Sequence, residues 1–124
     1  MRFKRLTLFL LLALAGCESE PIEVSHPFYL WHLEDPSNTY LFRCIEPADE
    51  CAVDGLPGPG VISAGADSRY VVVKTDHGYF YFKRTAHETK GWGNDPEKII
   101  GPLNEHDFKA TAEKLRLPNL SVHP

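Results

Sequence analysis

The chain has 124 residues, 13 basic and 17 acidic side chains, and a formal net charge of −4 at pH 7. This length suits one compact domain, and the acidic balance argues against nucleic acid as a partner. The six histidines show no H-x3-H or HExxH spacing, and the chain has no GxSxG motif. We therefore predict no metal site, no cofactor and no enzymatic activity.

The N-terminus has the layout of a secretory signal. Three basic residues within the first five precede a run over 6–15 that is apolar except for Thr7. As a helix this run would be about 15 Å long, half of what a bilayer core requires. We predict a cleaved signal peptide over 1–16, not a transmembrane anchor.

The end of the leader, Leu14-Ala15-Gly16-Cys17, resembles the lipobox of bacterial lipoproteins. The resemblance implies that Cys17 becomes the N-terminal residue after cleavage and carries acyl chains, such as palmitate, that anchor the protein on a membrane. By the same resemblance, Glu18 in place of Asp implies the periplasmic face of the outer membrane, with the inner membrane as the alternative. Ten basic and seventeen acidic residues would then remain in the mature chain.

After the leader, residues 17–26 are polar and predict a tether, with the folded domain over 27–124. Two stretches rich in aromatic and apolar residues, 28–34 and 39–45, flank a DPSN turn signal and predict two strands. Prolines and glycines over 47–60 predict a surface loop, and the VISAG sequence from Val61 predicts a short strand.

The strongest local pattern is RYVVVKTDHGYFYFKR over 69–84, which predicts a β-hairpin with its turn at Asp76-His77-Gly78. Strand alternation would place Phe80 and Phe82 toward the core, and Tyr79 and Tyr81 on the other face.

The C-terminal part predicts a short strand over 98–103 and then one helix. Asn104 can cap this helix, Asp107 supports the cap, and Pro118 would end it. The glycine-containing loop over 85–96 holds Trp92, which either covers the core or contacts a partner. The whole predicts an α+β domain, a small antiparallel sheet with one packed C-terminal helix.

Two cysteines remain once Cys17 is acylated, namely Cys44 and Cys51. In an exported protein an isolated pair is best explained by a disulfide. Closing a ring of this size would stabilise the fold by about 2.5 kcal/mol at most.

The second half of the chain resembles an uncharacterised family of small bacterial lipoproteins. The resemblance lies in a D-x-RY sequence, a tyrosine-rich strand, a GPL-x3-DF pattern that opens a helix, and a following LP. It implies the fold and supplies no catalytic residue. The matching positions are Asp67, Arg69, Tyr70, Tyr79, Tyr81, Ile99 to Leu103, Asp107, Phe108, Leu117 and Pro118.

The loop that the disulfide would stiffen is acidic, and no lysine or arginine occurs from Ile45 to Ser68. Such a loop would attract a basic protein, although a merely solvated surface is the alternative. We therefore predict a membrane-anchored binding or inhibitory protein of the periplasm, such as an immunity protein against a delivered toxin. The alternatives are a lysozyme inhibitor and a structural accessory subunit of an envelope complex. The candidate contact residues are Glu46, Asp49, Glu50, Asp54 and Trp92.

Overall fold

The computed structural model describes residues 20–32, 34–45, 50–53, 55–89 and 98–124. Within them, eight strands form two four-stranded antiparallel sheets, and one α-helix follows. The N-terminal sheet contains, in spatial order, β1 (Ile22–Ser25), β2 (Phe28–Trp31), β3 (Tyr40–Ile45) and β4 (Glu50–Ala52). The C-terminal sheet contains β5 (Val61–Ala66), β6 (Tyr70–Thr75), β7 (Gly78–Lys83) and β8 (Ile100–Leu103), and helix α1 spans Glu105–Leu115.

The predicted α+β class is confirmed, but the strands divide into two sheets where the sequence predicts one. The reason lies in β2 and β3, whose alternate residues are large and apolar and need a second layer to cover them. The ring of Phe28 meets Phe82 of the other sheet edge to face, with 5.3 Å between the ring centroids. The shared core consists of Phe28, Leu30, Leu41, Val61, Ala64, Val71, Val73 and Phe82.

The hairpin prediction is confirmed. Strands β6 and β7 pair through Thr75 and Gly78, and Gly78 has the positive φ, +137°, that a glycine adopts readily. Phe82 is fully buried and Phe80 packs against the core, as the alternation predicts.

The predicted tether over 17–26 is wrong for its second part, because Ile22–Ser25 forms strand β1. This strand pairs antiparallel with β2, with Ile22 opposite Leu30 and Glu23 opposite Tyr29. Val24 packs against the core, which explains why this polar segment is ordered. Among the described residues, the N-terminal sheet therefore begins at Ile22, five residues before the predicted domain boundary.

Helix α1 begins where the sequence predicts. The side chain of Asn104 accepts a hydrogen bond from the backbone N–H of Asp107 at 2.8 Å. The helix then places Phe108 parallel to Tyr79 of β7, with 4.5 Å between the ring centroids. The helix therefore packs on the outer face of the C-terminal sheet.

The helix ends three residues before Pro118, as this proline predicts. Its last residue is Leu115, and Arg116 adopts the left-handed conformation (φ 55°, ψ 54°) while its N–H donates to the carbonyl of Ala112. The chain then runs back along the C-terminal sheet, where Val122 exchanges two backbone hydrogen bonds of 2.8 Å with Ala64.

Candidate partner-binding surface

The disulfide between Cys44 and Cys51 is present and joins directly opposed residues of β3 and β4, with 4.0 Å between their Cα atoms. It thus closes the acidic loop at the outer edge of the N-terminal sheet. Glu50 opens β4, and its backbone pairs with Ile45. Cys17 and the other predicted contact residues, Glu46, Asp49, Asp54 and Trp92, lie outside the described residues.

A row of aromatic side chains lies on the outer face of the same sheet. Phe28, Leu30 and Leu41 point into the core, so the residues that alternate with them point outward. Tyr29 lies opposite Phe42, and Trp31 lies opposite Tyr40. We call these four residues, Tyr29, Trp31, Tyr40 and Phe42, the aromatic face.

Within the aromatic face, the ring of Phe42 contacts the rings of both Trp31 and Tyr40. The centroid of Phe42 lies 5.7 Å from that of Trp31 and 6.2 Å from that of Tyr40, both at inclined angles. Phe42 is 7% exposed, whereas Tyr29, Trp31 and Tyr40 are half-buried. Phe42 is thus the centre of a cluster whose outer rings still reach solvent. Alternation along β3 also puts the disulfide on this side of the sheet.

Three described carboxylates are close in sequence or register to the aromatic face. Glu23 pairs with Tyr29 across the sheet, and Glu34 and Asp35 follow β2 at the end that carries Trp31; all three are exposed. The carboxylate of Asp35 accepts a hydrogen bond from the backbone N–H of Ser37 at 3.0 Å, and this bond lowers its pKa. The border of the face is therefore acidic.

A guanidinium group at one end of the core joins three chain segments. Arg84 donates hydrogen bonds to the Oγ of Ser25 (2.7 Å), to the backbone carbonyl of His26 (2.8 Å) and to the backbone carbonyl of Asp67 (3.0 Å). Its Nη2 and Nε atoms lie 2.6 and 2.9 Å from Oε1 of Glu88. The two side chains are only 13% and 9% exposed.

This Arg84 cluster is fully engaged with the protein and has a structural role. It fixes the turn before β2, the turn before β6 and the segment after β7 relative to one another. Arg43, a buried residue of β3, donates to the backbone carbonyl of Glu88 at 3.3 Å and extends the same connection. No sequence pattern predicts the cluster, because its members are up to 59 residues apart.

The outer face of the C-terminal sheet is already covered. Phe108 of α1 stacks on Tyr79, and Lys74 lies over the same tyrosine ring, 5.4 Å from its centroid. Arg69 contacts the backbone carbonyls at the end of the helix at 3.4 and 3.5 Å. The described helix therefore lies on this sheet and leaves the aromatic face of the other sheet without a helical layer.

Among the described residues, no three His, Cys, Asp or Glu side chains are grouped as a metal site would require. The side chain of His26 instead pairs with the hydroxyl of Tyr29 at 3.0 Å. No helix in the described part of the chain is long and apolar enough to cross a bilayer.

Residues 17–60 and residues 61–124 differ sharply in charge. Residues 17–60, which contain the N-terminal sheet, have nine acidic side chains and one basic side chain, Arg43. That arginine is 4% exposed. Residues 61–124 have eight acidic and nine basic side chains. The negative charge of the domain is therefore concentrated on the half that carries the aromatic face and the disulfide-closed loop.

Comparison with protein-family models, with curated proteins and with solved structures gives no significant match. The function has to be argued from the surface and the sequence themselves.

Proposed function

We propose that this protein is a membrane-anchored lipoprotein that binds and inhibits a basic protein in the periplasm. An immunity protein against a delivered toxin is the specific form that we favour. The lipid attachment is assigned to Cys17 and the location to the outer membrane, both from the leader and the lipobox resemblance. The membrane would thus be reached through the lipid anchor, and no nucleic acid is involved.

One observation supports the binding role above all others, namely the concentration of negative charge on the half that contains the N-terminal sheet. An acidic surface attracts a basic protein over long distances and raises the rate of encounter at low salt. Speed matters to an inhibitor that must reach a toxin before the toxin reaches its target. The disulfide supports the same role, because it limits the conformations of the acidic loop and so lowers the entropy lost on binding.

The anchor is tested by labelling cells with radioactive palmitate and purifying the protein. We expect label on the wild-type chain, none on the Cys17→Ser variant, and sedimentation of the wild type with outer-membrane markers. An unlabelled product that retains the leader would contradict the anchor, and a labelled product in the inner membrane would contradict the location only.

The binding role is tested by affinity capture from envelope extracts, with the protein purified from membranes in mild detergent. The variant Glu46→Lys, Glu50→Lys should recover less of a basic partner than the wild type. The variant Glu97→Lys, Glu113→Lys changes the net charge equally in the other half of the chain and should capture normally. Equal losses for both variants would reduce the effect to net charge and remove the acidic loop from the proposal.

Three experiments distinguish an immunity protein, a lysozyme inhibitor and an accessory subunit of an envelope complex. Immunity requires that the protein protect cells from a co-expressed toxin. Lysozymes are also basic, so a lysozyme inhibitor is the second candidate, and purified lysozymes would lose activity on addition of the protein. Co-purification with an envelope complex, without inhibition of either enzyme, would instead indicate the accessory subunit.

A further inference from the structure

The aromatic face is unusual for the outer side of an antiparallel sheet. Such a side commonly alternates to polar residues, yet here Tyr29, Trp31, Tyr40 and Phe42 are adjacent in register. A contiguous apolar patch with a polar border is typical of an interaction site. The partner of this face has to be identified by the chemistry of its centre and of its border.

The centre of the face offers ring surfaces and one unused donor. Among the described residues, no acceptor contacts the indole N–H of Trp31, although this nitrogen is shielded from solvent. A buried donor without a partner is rare in folded proteins, and a tryptophan at an interface commonly finds its acceptor on the other molecule. Trp31 thus has a half-buried ring for stacking, and its N–H becomes available to a carbonyl of the partner once the groups that shield this nitrogen move aside.

The border determines the charge of the partner. Glu23 pairs with Tyr29 in register, and Glu34 and Asp35 follow Trp31 in the chain. The only basic residue of this half, Arg43, is buried on the inner side of the sheet. Anionic ligands are therefore disfavoured, and a cation that can also stack on a ring is favoured.

Arginine meets both requirements better than lysine. Its guanidinium is planar and weakly hydrated, so it stacks on aromatic rings while its N–H groups reach a carboxylate in a fork-like arrangement. Lysine has an equal charge but is a compact, strongly hydrated ammonium.

We propose that the aromatic face binds an arginine-bearing segment of the partner protein, with guanidinium groups stacked on Trp31 and its tyrosine neighbours and paired with Glu23, Glu34 or Asp35. This inference rests on the proposed function and specifies the chemistry of the partner. It assigns the recognition to the sheet face on the side of the disulfide, and not to the acidic loop alone.

The test is a calorimetric titration of the detergent-purified protein with nona-arginine and with nona-lysine, which have equal charge. One or two stacked guanidinium groups at an exposed site correspond to binding about three- to tenfold tighter for nona-arginine. Trp31→Leu should remove most of this preference, and Trp31→Phe, which keeps a ring, should retain most of it. Tyr29→Leu is expected to weaken the binding of nona-arginine. Tyr81→Leu, on the other sheet, serves as the matched control and should leave this binding unchanged.

Equal affinity for both peptides, or equal effects of Tyr29→Leu and Tyr81→Leu, would overturn the proposal. So would binding of a neutral chitin oligosaccharide that Trp31→Leu abolishes, because the face would then be a glycan site. The urea midpoint of each variant shows whether the variant is folded. If Trp31→Leu does not fold, Trp31→Phe is compared with the wild type instead. Capture of a basic partner that is unaffected by Trp31→Leu would preserve the proposed function and refute this assignment.

Discussion

The replacement of Arg84 by alanine tests the structural account most directly. Arg84 contacts Ser25, His26, Asp67 and Glu88 through hydrogen bonds of 2.6–3.0 Å, so one side chain connects segments that are far apart in sequence. The replacement would remove all of these bonds at once. It would also leave the carboxylate of Glu88, which is 9% exposed, without its positive partner.

The expected loss follows from burial. Removing one member of a buried ion pair typically costs 3–5 kcal/mol, because the remaining charge is uncompensated. A loss of about 3–5 kcal/mol would be a large part of the total stability of a domain of this size, which is typically about 5–15 kcal/mol. The chain has an internal control in Glu105 and Lys109, which have the same i, i+4 spacing at 3.0 Å but are 65% and 74% exposed. Lys109→Ala should leave the urea midpoint unchanged within error, because solvent screens exposed pairs.

The measurement is urea unfolding of the disulfide-intact protein, followed by tryptophan fluorescence. The double replacement Arg84→Met, Glu88→Leu should recover much of the loss of Arg84→Ala, because it removes the uncompensated charge together with its partner. A loss below about 1 kcal/mol for Arg84→Ala, or a midpoint change equal to that of Lys109→Ala, would show that burial does not make the Arg84–Glu88 pair important for stability.

Three further predictions concern local contacts. Burial raises the pKa of Asp67, but hydrogen bonds from the N–H groups of Tyr70 and Arg69, with the nearby guanidinium groups, outweigh it and lower that pKa overall. The resulting stabilisation is present above the unfolded value of about 4 and is lost as the pH falls through the folded value; Asp67→Asn should therefore cost about 1 kcal/mol at pH 7. We expect the difference from wild type to be smaller at pH 3 than at pH 7, and an equal difference at both pH values would contradict this prediction. Gly65→Ala would bring a methyl group onto the backbone carbonyl of Asn119; we expect a loss of about 1–3 kcal/mol and faster amide exchange at Val122, and unchanged exchange would disprove the contact. Reduction of the disulfide should lower the free energy of unfolding, measured in urea, by at most about 2.5 kcal/mol. A larger loss would show that the disulfide stabilises more of the fold than the loop that it closes.

The sequence predicts the local elements well where a single pattern decides them. The hairpin over 69–84 has β-branched and aromatic residues on both sides of a turn, and helix α1 has its capping residue Asn104 in place. The disulfide follows from having only two cysteines once Cys17 is assigned to lipid. The hairpin and the helix cap depend on residues that are close together in the chain, and such local patterns can be recognised directly in a sequence.

The remaining features depend on contacts between distant residues. The short IEVS sequence alternates apolar and polar residues as a strand does, but four residues are too few to predict from the sequence that it extends the sheet beside β2. Aromatic residues alternate with apolar ones in FYLW and YLF, so both faces look buried, and the sequence does not tell which side is outward. Gly65 inside a strand does contain a signal, because a glycine there often marks a close approach of another backbone.

The early start of β1 has a geometric consequence if the lipid anchor proposed at Cys17 holds the protein on a membrane. Only four residues, 18–21, separate that cysteine from Ile22, and five fully extended peptide spacings cover at most about 18 Å. The domain would therefore rest against the leaflet, with the edge formed by β1 nearest to the lipid. The domain would then diffuse only in the plane of the membrane and would bind partner proteins that come to the bilayer surface or cross it.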